Sequence, residues 1–524
     1  MEILVKICSY FCSHCSSYGT LHHSSEDNQC LVSLCRTSRT LRVAAEDVLR
    51  HACILDHHTL DSISMHKDEQ RLAKFIWKIC QDDEAASSVK TISLLRPIDT
   101  YYWFDEEYIM RLRLQLPLPT YWKNYKGFCA MQRAMLDKHG ISMQLGQSAS
   151  QIVAALTHAA PNLESLRFVV CSGLDLAQSW VNARPLSRLK SLELIPKGGP
   201  FQEPISRMEF NLTARLFELT PNLKTLRLAG FEILCRQTPP CFYPQLCAHE
   251  AECSLLPRTL SSIVMSKVKS GQLVHLFDDC PNLIDIEILI EYPFLTCVAE
   301  LEELPSQFEP AFTGRRESLQ RLVVSVEDLF MSWKSQEKAE EKEKEFLADK
   351  DHCDSLSYQA INMHFGGMTA LKHLALDHYL LFSELRRYST AACERSDCEW
   401  TAVAAVLPAS LETLCVGVLV SWVHMHAFLA ALYDARLRGE LIHLRTVKLI
   451  SHYGASSTMI QKIDLLGKML KHMGVQVVIG REPDVPYSLV GKRRHLLSAS
   501  LHESFNRESY NRKSDYRINY PFLS

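Results

Sequence analysis

The chain has 524 residues, more than one compact core usually holds, which points to several domains or an elongated repeat array. It is 47% hydrophobic and 22% charged, and its formal net charge of -3 offers no general basic field for nucleic acid. Its 19 Cys, scattered along the chain, are too sparse for a small secreted disulfide scaffold and read as reduced thiols inside a cell.

The N-terminal stretch MEILVKICSYFC sets Ile3, Leu4, Ile7, Cys8 and Phe11 on one helical stripe. It carries Glu2 at its front, a single Lys and no small-x-small cleavage site, so it is not expected to act as a secretion leader. After a polar gap, CLVSLCRTSRTLRVAAEDVLRHACIL places Leu31, Leu34 and Cys35 ahead of Leu41, Ala45, Val48 and Leu49. Two or three short amphipathic helices are predicted over residues 1–55. Cys12 and Cys15, with His14, His22 and His23 nearby, read as a helix end and a polar loop rather than as zinc ligands.

From residue 56 to 480 one spacing dominates. APNLESLRF, TPNLKTLRL and CPNLIDIEI share Leu-x-x-Leu-x-apolar, filled by Leu163/Leu166/Phe168, Leu223/Leu226/Leu228 and Leu283/Ile286/Ile288. The same spacing recurs without Pro-Asn at Leu189/Leu192/Leu194, Leu260/Ile263/Met265 and Leu319/Leu322/Val324. It returns at Leu371/Leu374/Leu376, Leu411/Leu414/Val416 and Leu444/Val447/Leu449, with an early copy at Val89/Ile92/Leu94. Alternating residues of a strand point to opposite faces, and the Leu three positions earlier falls in the turn that enters the strand. One such unit cannot bury its apolar side alone, but stacked units form a parallel sheet with a continuous core.

The spacing is that of leucine-rich repeats, with irregular intervals that leave room for helices and inserted loops. A doubly wound α/β domain is the competing reading, since it also alternates short strands with helices. Helices are predicted in SQIVAALTHAA and GQLVHLFDDC, ending near Pro161 and Pro281. The apolar stretch Leu411–Tyr433 is read as a strand followed by a helix, not as a membrane span.

Between the two inward apolar residues of each strand lies one outward position. In order these are Arg167, Glu193, Arg227, Val264, Glu287, Val323, Ala375, Cys415 and Lys448. A partner protein is expected to dock there, with Arg167 and Arg227 steering an acidic segment and Glu193, Glu287 and Lys448 contributing to the face. The competing reading is that an inserted loop or the tail covers the apolar half of the row.

Cys235, Cys241, Cys247 and Cys253 recur every six residues but lack a Cys-x-x-Cys knuckle, and Pro239, Pro240 and Pro244 suggest a loop, so no metal is expected. The mixed charge run near 334–352 reads as a solvated insertion, and 481–524 as a flexible basic tail. There is no Gly-rich phosphate loop, no Gly-x-Ser-x-Gly and no His-Glu-x-x-His, so neither catalytic residues nor a cofactor are expected.

EILVKICSYF, followed by CLVSLCRTSRTLRVAAEDVL, resembles an F-box. RLAKFIWKIC and SSVKTISLL resemble the helix and first strand that follow it in fungal F-box/leucine-rich-repeat-like proteins. The family usually has Leu-Pro just before Glu2, where this sequence has its first Met; either the Met takes that place or the true start lies upstream, and the connection from Ser13 to Gln29 is longer than usual. The resemblance implies an α/β protein with an N-terminal helical F-box and an irregular solenoid, its curved parallel sheet backed by helices on the convex side. It also implies an intracellular substrate receptor, cytoplasmic or nuclear, without an active site of its own. The F-box would dock a Skp-type adaptor of a cullin-RING ubiquitin ligase through Ile3, Leu4, Ile7, Leu31 and Leu34, and the repeats would recruit a target protein. Neither nucleic acid nor membrane is an implied partner. A helical cap on a protein-binding scaffold with no ubiquitin link is the alternative.

Overall fold

The computed structural model describes residues 2–9, 25–55, 75, 78–79, 81–94, 149–170, 184–196, 208–209, 214–229, 231–232, 256–266, 277, 280–291, 312, 314–327, 365–377, 407–419, 422–451 and 457–481. Every Leu-x-x-Leu-x-apolar segment named above becomes a tight turn followed by a short strand. These strands are β2 (Thr91–Leu94), β3 (Ser165–Val170), β4 (Ser191–Pro196), β6 (Thr225–Ala229) and β8 (Ser262–Ser266). They continue with β9 (Asp285–Glu291), β10 (Arg321–Glu327), β11 (His373–Asp377), β12 (Thr413–Leu419) and β13 (Thr446–Ser451). Two strands fall outside the pattern, β1 (Ala52–Leu55) and β14 (Gln476–Arg481), and two more, β5 (Met208–Glu209) and β7 (Phe231–Glu232), are two residues long. The three apolar positions of each segment are exposed by 2% or less wherever they occur, from Val89 to Leu449.

The chain divides into two compact units, one holding the described residues up to Arg227 and the other those from Leu228 to Arg481. In the first unit the strand order is β1-β2-β3-β4-β6, and in the second it runs from β8 to β14, each following chain order. Pairing is parallel from β1 through β4 and from β8 through β14. Together with its helices this is an α/β chain built on a repeat-like parallel sheet.

Most junctions within each unit use one carbonyl, that of the residue after the first Leu. Lys90 O accepts from Glu164 N at 2.8 Å and from Ser165 N at 3.0 Å, and Gln320 O accepts from Lys372 N and His373 N at 2.9 and 3.0 Å. The carbonyls of Glu164, Ser261, Ile284, Lys372 and Glu412 do the same for the strands that follow them. This satisfies backbone donors that the turn would otherwise leave without partners.

The Asn of Pro-Asn-Leu also bridges repeats. Asn162 Nδ2 donates to Ser87 O at 2.7 Å, Asn222 Nδ2 to Ser187 O at 2.7 Å, and Asn282 Nδ2 to Arg258 O at 3.2 Å. All three acceptors stand at one register position, two residues before the first apolar residue of the preceding repeat. Asn162→Ala and Asn222→Ala should each lower stability by about 1 kcal/mol, the usual net worth of such a bond. Urea unfolding measures this, and a neutral effect at both sites would reduce the Asn to a turn former.

The sequence reading missed a further layer of the core. The residue three before the first Leu is buried as well, at Ala160, Leu186, Thr220, Cys280, Met368 and Leu441, because its carbonyl or its neighbour's closes the turn. Behind it lie Phe217, Phe277, Phe312 and Phe365, and the rings of Phe277 and Phe312 stack with centroids 6.3 Å apart.

Three helices precede the sheet: α1 (Glu2–Ser9), α2 (Ser25–Thr37) and α3 (Arg39–Arg50). Ser38 separates α2 from α3 and caps the latter, its Oγ accepting from Leu41 N at 3.1 Å. α3 packs on both α1 and α2 around Cys8, Leu31, Ala44, Ala45 and Val48. α4 (Asp83–Ser88) and α5 (Ala149–Ala159) lead into β2 and β3, and α6 (Ala214–Glu218) precedes β6. α7 (Trp422–Leu437) and α8 (Ser457–His472) pack on each other, on β12 and on β14.

Both of these long helices end at a Gly in the left-handed region, Gly439 at φ 80 and Gly474 at φ 81. Glu440 N reaches Ala435 O at 3.0 Å and Val475 N reaches Leu470 O at 2.9 Å, so each end is closed by a Schellman arrangement. Arg436 then ties the two ends together, its guanidinium donating to Leu441 O at 2.7 Å and Met473 O at 3.3 Å.

The clusters Cys12/Cys15 and Cys235/Cys241/Cys247/Cys253, the run near 334–352 and the tail after Arg481 lie outside the described residues.

Candidate functional site

Two surfaces carry chemistry that the core does not use. The first is on the helical trio. Ile3 is 75% exposed and Ile7 48%, whereas Leu31 is 1% exposed in the trio's core, with Leu4 and Leu34 half-buried against it. The expected partner-facing set therefore divides: Ile3 and Ile7 face out, and Leu31 faces in because α3 packs over α2. Val32 and Val43, exposed by 40% and 58%, join the outward apolar set. Sequence reasoning passed over both. Val43 stands off the stripe made by Ala44, Ala45 and Val48, and that offset was the available signal.

The second surface is the sheet face opposite the leucines. The first and third residues of each strand point there. In the first unit the third-position row includes Ser93, Arg167 and Glu193 in register, and Arg227 stands at the same position in β6. Arg167 Nε lies 3.0 Å from Glu193 Oε2, a charge contact rather than an aligned hydrogen bond, and both side chains are largely buried. On the strand-entry side Glu164 sits between Lys90 at 3.6 Å and Lys190 at 2.6 Å.

In the second unit Val264, Glu287, Val323, Ala375, Cys415 and Lys448 stand side by side. Val323, Ala375 and Cys415 are 3%, 7% and 4% exposed, so the middle of this row is not an open apolar groove. The neighbouring first-position row supplies Ser262, Asp285, Arg321, His373, Thr413 and Thr446. The sequence reading had counted only one outward residue per strand and so omitted this row.

Arg321 holds the two rows together. Its guanidinium reaches Asp285 Oδ1 at 2.5 Å and Glu287 Oε2 at 2.6 Å, and Ser262 Oγ donates to Asp285 Oδ2 at 3.1 Å. Burial works against the charge on Arg321, but the carboxylates of Glu287 and Asp285 outweigh it and hold the guanidinium above its ordinary value.

On the next strand burial pushes the His373 imidazole below its usual range, against the pull of Glu412 and with the help of Arg321 and Lys372. Burial thus favours the neutral imidazole of His373, and its Nδ1 is buried with no hydrogen-bond partner among the described residues. At the rim Lys372 lies 3.3 Å from Glu412 and, by its hydrogen bond, holds that carboxyl below the ordinary range.

Beside the Arg321 cluster is a small depression. Its polar lining is Arg321, His373, Thr413 and Lys448, and its apolar lining is Val323, Leu374, Ala375 and Cys415. Short side chains in the middle strands make the dip, and longer ones border it. Chemically the arrangement offers a cation, a hydroxyl and an imidazole around an apolar floor, which suits recognition of a polar group.

Among the described residues no group of three or more His, Cys, Asp or Glu is placed to hold a metal ion. No described helix is long and apolar enough to cross a membrane.

No known protein family's profile matches the sequence, and no curated protein is similar enough to match.

Proposed function

We propose that the chain is the substrate-recognition subunit of an SCF-type ubiquitin ligase, acting inside the cell as a receptor rather than a catalyst. In this reading the helical trio is an F-box that docks a Skp-type adaptor. The repeat-like sheet is an irregular leucine-rich-repeat solenoid that recruits a target protein on the face opposite its leucines. The observation that carries the reading is the pairing of two features in chain order. A three-helix segment exposes Ile3, Ile7, Val32 and Val43, and strands with one repeated turn-and-strand signature follow it.

The test uses the purified full chain and a purified Skp-type adaptor. Ile3→Asp with Ile7→Asp should abolish co-purification, because a carboxylate in an apolar interface is costly. The same pair should leave the melting temperature nearly unchanged, since both side chains already face solvent. Absence of adaptor binding by the unaltered chain removes the ligase reading.

A second reading has its own support. α3 runs straight into β1, which pairs with β2 as the end of a repeat array would. On that basis the trio is a cap and the chain a protein-binding scaffold with no ubiquitin link.

A further inference from the structure

The cations of the sheet and its strand-entry rim are mostly spoken for. Arg167 faces Glu193, Lys190 faces Glu164, Arg321 faces Asp285 and Glu287, and Lys372 faces Glu412. Lys448 differs: among the described residues it has no carboxylate within ion-pair distance, although it is half-buried. Glu287 stands four strands away in the same row, about 19 Å at roughly 4.8 Å per strand, and it is already held by Arg321. At that separation and in physiological salt the two charges barely interact.

His373, which helps line the depression next to Lys448, has its Nδ1 buried with no hydrogen-bond partner among the described residues. Buried polar atoms are nearly always satisfied, so such an exception calls for a ligand or another explanation. Thr413 adds a hydroxyl between the two, being in register with His373 and on the strand beside Lys448.

Building on the reading of this face as the target-docking surface, we infer that the depression is a carboxylate pocket: it receives one Asp or Glu side chain of the target, bound by Lys448, Thr413 and His373. A monoanion fits better than a phosphate. Asp285, Glu287 and Arg321 together carry one net negative charge at the other border, and a dianion would be repelled by it. The apolar floor of Val323, Ala375 and Cys415 takes the methylene portion of the acid. Of the two cations expected to steer an acidic segment, Arg167 is neutralised by Glu193, and the pocket adds Lys448 in the second unit beside Arg227 in the first.

The experiment uses the immobilised full chain and two synthetic pools of capped heptapeptides, randomised over Ala, Leu, Val, Tyr and Ser around a fixed centre. The centre is Glu in one pool and Gln in the other. The Glu pool should be retained at least about tenfold better. Lys448→Ala and His373→Phe should each remove most of that preference, while Arg445→Ala, a cation outside the depression, should leave it intact. Equal retention of the two pools, retention of neither, or a preference that survives Lys448→Ala overturns the pocket.

Failure of the docking reading looks different. Thr446→Trp crowds the same face without altering a lining residue. Proteins captured by the full chain that are lost with Thr446→Trp but kept with Lys448→Ala remove only the carboxylate pocket. Captured proteins unaffected by Thr446→Trp remove the face as a docking surface.

Discussion

Leu374→Ala in the second unit and Leu226→Ala in the first should each cost about 2–5 kcal/mol, the range for truncating a packed Leu and leaving a cavity. Both leucines are exposed by 1% or less and occupy the middle apolar position of a repeat, and Leu374 stands in register with the equally buried Leu322 and Leu414. At Leu374 relaxation is limited because β11 is fixed on each side by hydrogen bonds and cannot collapse inward. Equilibrium urea denaturation of the full chain measures the loss. Arg227→Ala, which removes a half-buried side chain next to Leu226, should stay within about 0.5 kcal/mol. A loss from Arg227→Ala as large as that from Leu226→Ala would mean that the strand faces are reversed.

The other large effect is expected at Arg321. Its side chain is 12% exposed and is shared by two carboxylates, of which Glu287 is 7% and Asp285 32% exposed. Replacing it by Met keeps much of the volume and removes the charge, leaving Asp285 and Glu287 side by side without a counter-ion. Breaking a buried pair in this way typically costs 3–5 kcal/mol. The partial exposure of Asp285 reduces that, so about 3 kcal/mol is expected for Arg321→Met. Urea unfolding at pH 7 measures the difference, and a loss under about 1 kcal/mol would contradict the assignment. The triple change Arg321→Met, Asp285→Ser, Glu287→Leu should recover most of the loss, since it removes the unpaired charges themselves.

The repeated strands were legible because their signal is dense: three apolar residues at fixed offsets, each buried to 2% or less, cannot be exchanged for polar ones. β1 escaped because α3 leads into it directly, so that Arg50, a helical residue, stands where the first Leu would be. β14 escaped because Gly474, needed at φ 81 to end α8, occupies that position instead. The Phe layer was not found, since its members lie six or seven residues before the first Leu and the offset varies. Of the candidate face, Lys448 and Glu287 were readable as outward residues. Their consequence was not, since whether a charge is paired depends on which repeat lies beside it. Arg167 looked free in the sequence, and only the register with Glu193 shows that it is not.

The junction carbonyls have an evolutionary consequence. Within each unit, repeats are locked to one another by a turn, one carbonyl and a short register of strand, all within a few residues of the first Leu. Nothing in that lock measures how much chain lies between the end of one strand and the next turn. First-Leu intervals as unequal as Leu260 to Leu283 and Leu319 to Leu371 therefore coexist in one sheet. Segments between strands can lengthen, shorten or change composition at little thermodynamic cost, since loop closure rises only slowly with length. A lineage can thus remodel the borders of the sheet face by insertion while the lock itself is inherited unchanged. Similarity detected by sequence should then decay fastest in the intervals and persist longest in the turn-and-strand signature.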